Sequence, residues 1–168
     1  MKKWSVRHMV IIAMLVALRV VLARFASFSA WNVRIGFSFL PTALAGILYG
    51  PLSAAVVGGL GDFIGAILFP SGAFFPGFTF TAALLGVIFA LFLHKKMTPL
   101  RIILCVVTEM VICTMLLNSL WISILYGSSF KALFATRLYQ AAILGPVHIL
   151  TLFGVKAVLD KYGRRLFE

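Results

Sequence analysis

The sequence consists of apolar runs that recur from one end to the other, separated by short clusters of Pro, Gly and charged residues. Because an α-helix needs about 20 mostly apolar residues to cross a bilayer, these runs are long enough, or nearly so, to span a membrane. Only 11% of the 168 residues are charged and 62% are hydrophobic, whereas a soluble domain carries about 25% charged residues. We therefore predict an all-α polytopic membrane protein that forms one domain over residues 1–168.

The punctuation divides the chain into six predicted membrane helices. The second and third are short, and they are joined by a tight turn at Tyr49, Gly50 and Pro51. The predicted helices cover residues 8–26, 35–50, 52–69, 77–94, 100–126 and 137–159.

The distribution of Lys and Arg sets the orientation of these helices. Ten of the 15 Lys and Arg residues lie in the two terminal segments or between the fourth and fifth helices. With an even number of spans, these three regions all lie on the same side of the membrane. Cytoplasmic loops are enriched in Lys and Arg, so this side, with both termini, is predicted to be cytoplasmic. The opposite side carries four cations and no acid: Arg24, Arg34, Lys131 and Arg137. Such a face favours an anionic solute.

The three outer loops, residues 25–36, 69–78 and 127–137, all mix aromatic residues with Gly, Ser or Pro. One interpretation is that their aromatic residues form an interfacial belt and their Arg side chains extend to lipid headgroups. The other is that the loops together form a binding site. The presence of three such loops on one face favours the binding site.

Two carboxylates lie inside predicted helices. Asp62 is near the middle of the third helix, where a charged side chain costs about 3 kcal/mol or must be paired. Either Arg19, at a comparable depth in the first helix, pairs with it, or Asp62 accepts hydrogen bonds from the amidine-like N–H edge of a ligand. Glu109 is nearer the cytoplasmic end of the fifth helix, and we predict a structural role for it.

The fifth helix carries polar residues on two faces near its outer end. Helical spacing places Asn118 and Trp121 on one face, and Ser119, Ser123 and Tyr126 on the adjoining one. An indole and a side-chain amide are typical of a pocket for a flat polar ring, although both could also serve helix packing. We assign the first face to a pocket, and Ser119 and Ser123 to packing.

Motifs of catalysis are missing from the sequence, which has no HExxH, CxxC, GxSxG or Walker-type string. We predict that the protein is not an enzyme and holds neither a metal nor a cofactor. A membrane enzyme using Asp62, Glu109 and His148 would need these groups at one depth, but they lie on different predicted helices at scattered depths. A structural membrane subunit without a ligand is a further alternative.

Three strings, occurring in this order, resemble the folate-specific substrate-binding (S) components of energy-coupling factor (ECF) transporters. They are VRIGFSFLPTALAGILYGP, GGLGDFIGAILFPSGAFFPGFTFTAALLG and LNSLWISILYG. The resemblance extends from about Ala13 to Arg137, with Ser119 where the family has Thr. It implies a six-helix protein that binds folate near the outer face. It also implies delivery of folate through a shared transmembrane coupling subunit and two ATPases that use the ATP, in the plasma membrane of a Gram-positive bacterium.

The resemblance also assigns roles to particular residues. Ala13 and Ala17, one turn apart in the first helix, are expected to dock on the coupling subunit. The pterin ring of folate is suited to stacking on aromatic rings and to amide or carboxylate hydrogen bonds, and its glutamate tail to Arg side chains. The expected substrate-binding residues are Arg24, Arg34, Asp62, Phe78, Asn118, Trp121, Tyr126 and Arg137.

Two alternatives stay open within this assignment. Arg24 is nearly in line with the Ala13–Ala17 stripe, so either the first helix bends near its outer end or Arg24 is not a ligand residue. The solute could also be another flat molecule, a different pterin or a modified purine.

Overall fold

The computed structural model describes residues 5–25, 27–30, 33–69, 74–94 and 96–163. The helices are α1 (Val6–Phe25), α2 (Phe39–Tyr49), α3 (Pro51–Leu68), α4 (Pro76–Leu93), α5 (Pro99–Glu109), α6 (Asn118–Tyr126) and α7 (Phe130–Val158), and the strands are β1 (Ser27–Ala30) and β2 (Val33–Gly36). A π-helical segment, Met110–Leu117, joins α5 to α6, and a second one, Leu159–Gly163, follows α7. The predicted all-α membrane fold is confirmed, with the short hairpin as an addition.

Among the described residues, five helical segments are long and apolar enough to cross a membrane: Val6–Phe25, Pro51–Leu68, Pro76–Leu93, Pro99–Tyr126 and Leu133–Lys161. The sixth, α2, has only 11 residues. It is therefore about 16 Å long, roughly half the thickness of a bilayer core. The chain consequently enters α2 below the ends of the long helices that lie beside the hairpin.

Local sequence explains where these helices begin and end. Pro51, Pro76 and Pro99 occupy the first turns of α3, α4 and α5, where the missing N–H of proline leaves no intrahelical bond unmade. Gly50, with φ of 88°, provides the sharp turn between α2 and α3. Gly127, with φ of 64°, ends α6 in the left-handed region that glycine favours.

Two predicted boundaries differ from the structure. The second helix was expected from residue 35, but residues 33–36 pair with β1 in an antiparallel register from Ser27↔Gly36 to Ala30↔Val33. The β-branched Val33 and Ile35 alternate with other residue types, which favours a strand. The last helix was expected from residue 137 but begins at Phe130, because the segment after Ser129 contains no Gly or Pro and a cation does not end a helix.

The hydrophobic core lies at the end of the bundle away from the hairpin. Phe89 and Leu93 of α4 pack there with Ile102 and Cys105 of α5 and with Leu152 of α7, all almost fully buried. Since apolar side chains fill this end, the space between the helices is at the hairpin end.

Small residues hold α3 and α4 in close contact. A Cβ atom at Gly58 would collide with the carbonyl oxygen of Ala82, and one at Gly86 would collide with that of Ala54. Such close backbone approach is the main source of van der Waals attraction between membrane helices. Ala54, Gly58, Gly61 and Gly65 form a stripe of small residues along α3, and at Ala54 and Gly58 this stripe serves helix packing.

Candidate solute-binding cavity

A cavity of about 900 Å³ lies between the helices at the hairpin end of the bundle. Its walls come from every helix and from the residues that lead from β2 into α2. Phe74 and Tyr126, which are 47% and 61% exposed, line its outer part, so the cavity reaches the surface there. The volume is within the usual range for small-molecule sites, about 300–1,000 Å³.

Two arginines lie near the outer end of the cavity. The Nη2 of Arg24 donates to the carbonyl oxygen of Gly65 at 2.8 Å, and the Nη1 of Arg137 donates to Oε1 of Gln140 at 2.8 Å. Both guanidinium groups line the cavity, and each carries five N–H donors in a planar arrangement that matches a carboxylate. These are two of the cations that the sequence placed on the outer side.

The conflict between Arg24 and the alanine stripe is resolved by the length of the arginine side chain. The α1 helix is continuous to Phe25, and Ala13 and Ala17 are exposed on its surface. Arg24 lies at nearly the same angle but extends sideways to Gly65 of α3, where it lines the cavity. It therefore reaches the cavity while the stripe remains available on the outside of the bundle.

Arg19 supports the backbone at the entrance to α2. Its Nη1 donates to the carbonyl oxygen of Ser38 at 3.1 Å and to Oγ1 of Thr42 at 2.6 Å, and the side chain is 7% exposed. Nonhelical backbone at membrane depth must be hydrogen-bonded within the protein, and Arg19 meets this need. A Cβ at Gly61 would collide with the Arg19 side chain, so this glycine makes room for it.

Asp62 lines the cavity without a direct ion pair to Arg19. Its Oδ2 instead accepts a hydrogen bond from Oγ1 of Thr79 at 3.0 Å. The two charged groups still attract each other at longer range. Asp62 is thus stabilised by a hydroxyl donor and a nearby cation, while it still faces the cavity.

Trp121 lies behind the cavity wall. Its Nε1–H donates to Oγ1 of Thr81 at 2.9 Å, and its ring lies 5.5 Å from that of Phe75 between centroids. A Cβ at Gly77 would come within 2.6 Å of the indole, so the ring packs closely on the start of α4. The aromatic wall is formed by Phe75 and Phe78, and Trp121 supports it from behind.

The floor of the cavity holds a second carboxylate. Glu109, 4% exposed, and His148, 7% exposed, both line the cavity, with His148 Nδ1 3.4 Å from Glu109 Oε2. The His148 ring stacks on Phe39 with centroids 3.8 Å apart. Thr114 Oγ1 lies 3.5 Å from Glu109 Oε1 as a donor. Glu109, expected to be structural, thus faces the cavity.

The π-helical segment explains why helical spacing failed along this wall. Residues from α5, the π-helical segment and α6 line the cavity: Glu109, Cys113, Thr114, Asn118, Ile122 and Tyr126. A π-helix bonds residue i to i+5, so its turn is wider than that of an α-helix. The π-helical segment thus brings Glu109 and Asn118, nine residues apart, to the same wall. Within α6, which has an α-helical period, Asn118, Ile122 and Tyr126 line the cavity at intervals of four, and Trp121 lies to one side of this row.

Most of the expected substrate-binding residues come together around the cavity. The ones that line it are Arg24, Asp62, Phe78, Asn118, Tyr126 and Arg137. Trp121 is behind the wall, and the side chain of Arg34 lies outside the described residues. The residues missed from sequence that line the cavity include Arg19, Glu109, Gln140 and His148. A polar side chain deep in an apolar run was the available signal for each.

The chemistry of the cavity suits a ligand that carries both charge and a flat ring. Cations lie near its outer end, phenylalanine rings and an amide in its walls, and a carboxylate with an imidazole at its floor. Within the described parts of the chain, no three His, Cys, Asp or Glu residues are grouped to hold a metal ion. A helical membrane bundle around such a cavity defines a solute-binding membrane protein.

Comparison with known proteins gives the family. The model of the ECF transporter substrate-specific component matches residues 7–155. The folate transporter FolT of Clostridium novyi is 39% identical over 162 residues, covering 96% of this chain and 93% of the relative. FolT of Leuconostoc mesenteroides is 34% identical, covering 88% and 83% respectively. The chain belongs to the family of substrate-specific components of ECF transporters.

Solved structures agree with this assignment. The crystal structure of FolT bound with folic acid superposes with a TM-score of 0.83 at 32% identity, covering 90% of this chain and 93% of that one. A bacterial ECF S component at 22% identity, with a TM-score of 0.63, has the same fold. Since the family consists of binding components of transporters, the expectation that the protein is not an enzyme is confirmed.

Proposed function

We propose that this S component binds folate in the 900 Å³ cavity and delivers it inward as part of an ATP-driven importer. The observation that carries the proposal is the match in fold and sequence to a FolT structure bound with folic acid. The glutamate tail of folate is an anion, and Arg24 and Arg137 provide donors near the outer end. The pterin ring is flat and aromatic, and Phe75 and Phe78 offer rings to pack against it.

The direct test is mass spectrometry of the small molecule that co-purifies with the protein from cells. We expect a folate, released on denaturation in near-stoichiometric amount. Added folic acid should then quench or shift tryptophan fluorescence of the ligand-free protein, because Trp121 packs on Phe75 of the cavity wall. Recovery of a different pterin or a modified purine, with no competition by folic acid, would assign the cavity to that solute.

Delivery requires partners, which we propose to be a transmembrane coupling subunit and two ATPases. Ala13 and Ala17 support this role, since they form an exposed small-residue stripe on α1 onto which another helix can pack closely. Both relatives come from Gram-positive bacteria, which supports a plasma-membrane location in such an organism.

The orientation we propose has the cavity mouth outside and both termini in the cytoplasm. The Arg24 and Arg137 end of the bundle faces outward, and the exposed Arg101 lies at the opposite end. In intact cells, a membrane-impermeant maleimide should label Lys131→Cys but not Arg101→Cys. The two native cysteines are buried and give a low background. The reverse labelling pattern would invert the topology.

A further inference from the structure

The carboxylate of Glu109 is buried with an unused acceptor. Its side chain is 4% exposed, and Oε2 has no hydrogen-bond partner among the described residues. His148 Nδ1 is 3.4 Å away, but it too lacks a hydrogen bond, so the two groups are adjacent without being aligned. Leaving a buried polar group unbonded costs about 1–3 kcal/mol, and more for a charged one. A donor from outside the chain would remove this cost.

Asp62, the other carboxylate of the cavity, already accepts a hydrogen bond from the protein. Asp62 Oδ2 accepts from Thr79 at 3.0 Å and lies in the field of Arg19. Glu109, in contrast, has only two longer contacts, from Thr114 to Oε1 at 3.5 Å and from His148 Nδ1 to Oε2 at 3.4 Å, and the second is not a hydrogen bond. Of the two acids, Glu109 is therefore the one with a buried carboxylate oxygen that lacks a hydrogen bond among the described residues.

The positions of the charged residues in the cavity determine the orientation in which a ligand binds. Arg24, next to the last residue of α1, lies near the mouth of the cavity. Glu109 precedes Tyr126, the last residue of α6, by 17 residues and therefore lies far from the mouth. An elongated ligand with an anion at one end and N–H donors at the other would place the anion at the mouth and the donors at the floor. The 2-amino group and N3–H of a pterin form such a planar donor edge, and a carboxylate can accept both bonds.

We propose that Glu109 is the specificity-determining residue for the ring of the ligand, and that it accepts the amidine-like N–H edge of the pterin. This inference rests on the proposed function, because it assumes a folate in the cavity. His148, stacked on Phe39, limits the positions that the carboxylate can take. The ring then lies deepest and the glutamate tail nearest the mouth.

The test is a thermodynamic cycle between Glu109→Gln and one ligand group. Folic acid is compared with an analogue in which methyl replaces the 2-amino group, by fluorescence titration of purified protein. Wild type should bind folic acid about 10- to 100-fold more tightly than the analogue, as expected for a hydrogen bond to a charged group. In Glu109→Gln this preference should fall to about twofold or less. A difference of about twofold is the deviation from additivity that is expected for two groups that do not interact.

Two further variants make the result specific to Glu109. Asp160→Asn, which removes one acid from the π-helical segment after α7, should keep the wild-type preference for the 2-amino group, and Asp62→Asn tests the other carboxylate of the cavity. Loss of the preference in Asp62→Asn alone would assign the donor edge to Asp62 and overturn the proposal. If Glu109→Gln weakens the binding of both ligands by the same factor, the proposal is also overturned, because Glu109 would then have a structural role.

The outcomes also separate this inference from the proposed function. If wild type binds no folic acid, both fail. If wild type binds folic acid but Glu109→Gln keeps the full preference, only the inference fails. If Glu109→Gln does not fold, Glu109→Asp replaces it in the thermodynamic cycle. Its preference for folic acid should be reduced, because shortening the side chain by one methylene moves the carboxylate oxygens away from the ligand. An unreduced preference in Glu109→Asp would overturn the inference.

Discussion

Arg24 donates a hydrogen bond to the backbone carbonyl of Gly65 at 2.8 Å and so joins the outer end of α1 to α3 at the cavity. Gly65 belongs to the same stripe of small residues as Gly58, but the two have different surroundings. A Cβ at Gly58 meets the backbone of α4, whereas a Cβ at Gly65 meets nothing within 4 Å. One stripe therefore serves helix packing at one end and leaves space for a ligand at the other.

The two glycines should respond differently to substitution. Gly58→Ala should destabilise the protein by about 1–3 kcal/mol, because backbone atoms cannot move aside easily. Gly65→Ala should be neutral or slightly stabilising, since alanine favours the helix by about 1 kcal/mol over glycine. Thermal unfolding of the detergent-solubilised variants measures both effects. Equal unfolding temperatures for the two variants would contradict the packing described for α3 and α4.

A larger side chain at Gly65 should affect binding rather than folding. Gly65→Leu extends into the cavity beside Arg24, and we expect it to weaken folate binding at least about tenfold, as for a loss of about 1.4 kcal/mol. The unfolding temperature without ligand should stay near that of wild type. Gly154→Leu is the matched control, because a Cβ there also meets nothing and Gly154 does not line the cavity. Unchanged affinity in Gly65→Leu would exclude this part of the cavity from the binding site.

The cations at the mouth should recognise the glutamate tail and not the ring. Arg24→Gln and Arg137→Gln should each weaken folic acid binding about 10- to 100-fold, the contribution of a charge-assisted hydrogen bond. Binding of pteroate, which lacks the glutamate, should change little. Arg101→Gln, an exposed cation outside the cavity, controls for net charge. Equal weakening of both ligands would show that the two arginines act on protein structure instead.

Trp121 should contribute mainly through the support that it gives to the aromatic wall. Trp121→Phe removes the hydrogen bond to Thr81 and should lower stability by about 1 kcal/mol, with less than about a threefold change in affinity. Trp121→Ala also removes the contact with Phe75, and it should lower both stability and affinity. Isothermal titration is the suitable assay, because these variants lose the fluorescent reporter. A large loss of affinity in Trp121→Phe at normal stability would place the indole in contact with the ligand.

The exposed stripe on α1 should be needed for transport but not for binding. Ala13→Trp and Ala17→Trp should abolish folate uptake by cells, because a bulky ring prevents close helix approach. Folate affinity of the purified protein should be unchanged. Leu18→Trp, also exposed on α1 but on a different side, is the matched control and should retain uptake. Normal co-purification of the Ala13→Trp variant with the coupling subunit would reject this docking surface.

The sequence by itself determined the features that depend on composition and on linear spacing. The length of the apolar runs specified membrane helices, because few other structures satisfy the backbone in lipid. The positions of Lys and Arg indicated an outer face with Arg24 and Arg137, and both line the cavity. These properties require no knowledge of which helix packs against which.

The tertiary structure decided which side chains face the cavity. Glu109 and Asn118 are nine residues apart, and an α-helix of about 100° per residue would place them on opposite faces. Both line the cavity because a π-helical segment lies between them. Arg19 likewise has a partner only because α2 begins below the hairpin ends of its neighbours and presents the Ser38 carbonyl. Both outcomes depend on packing between helices, which changes the helical turn and supplies distant partners, and neither is encoded in local periodicity.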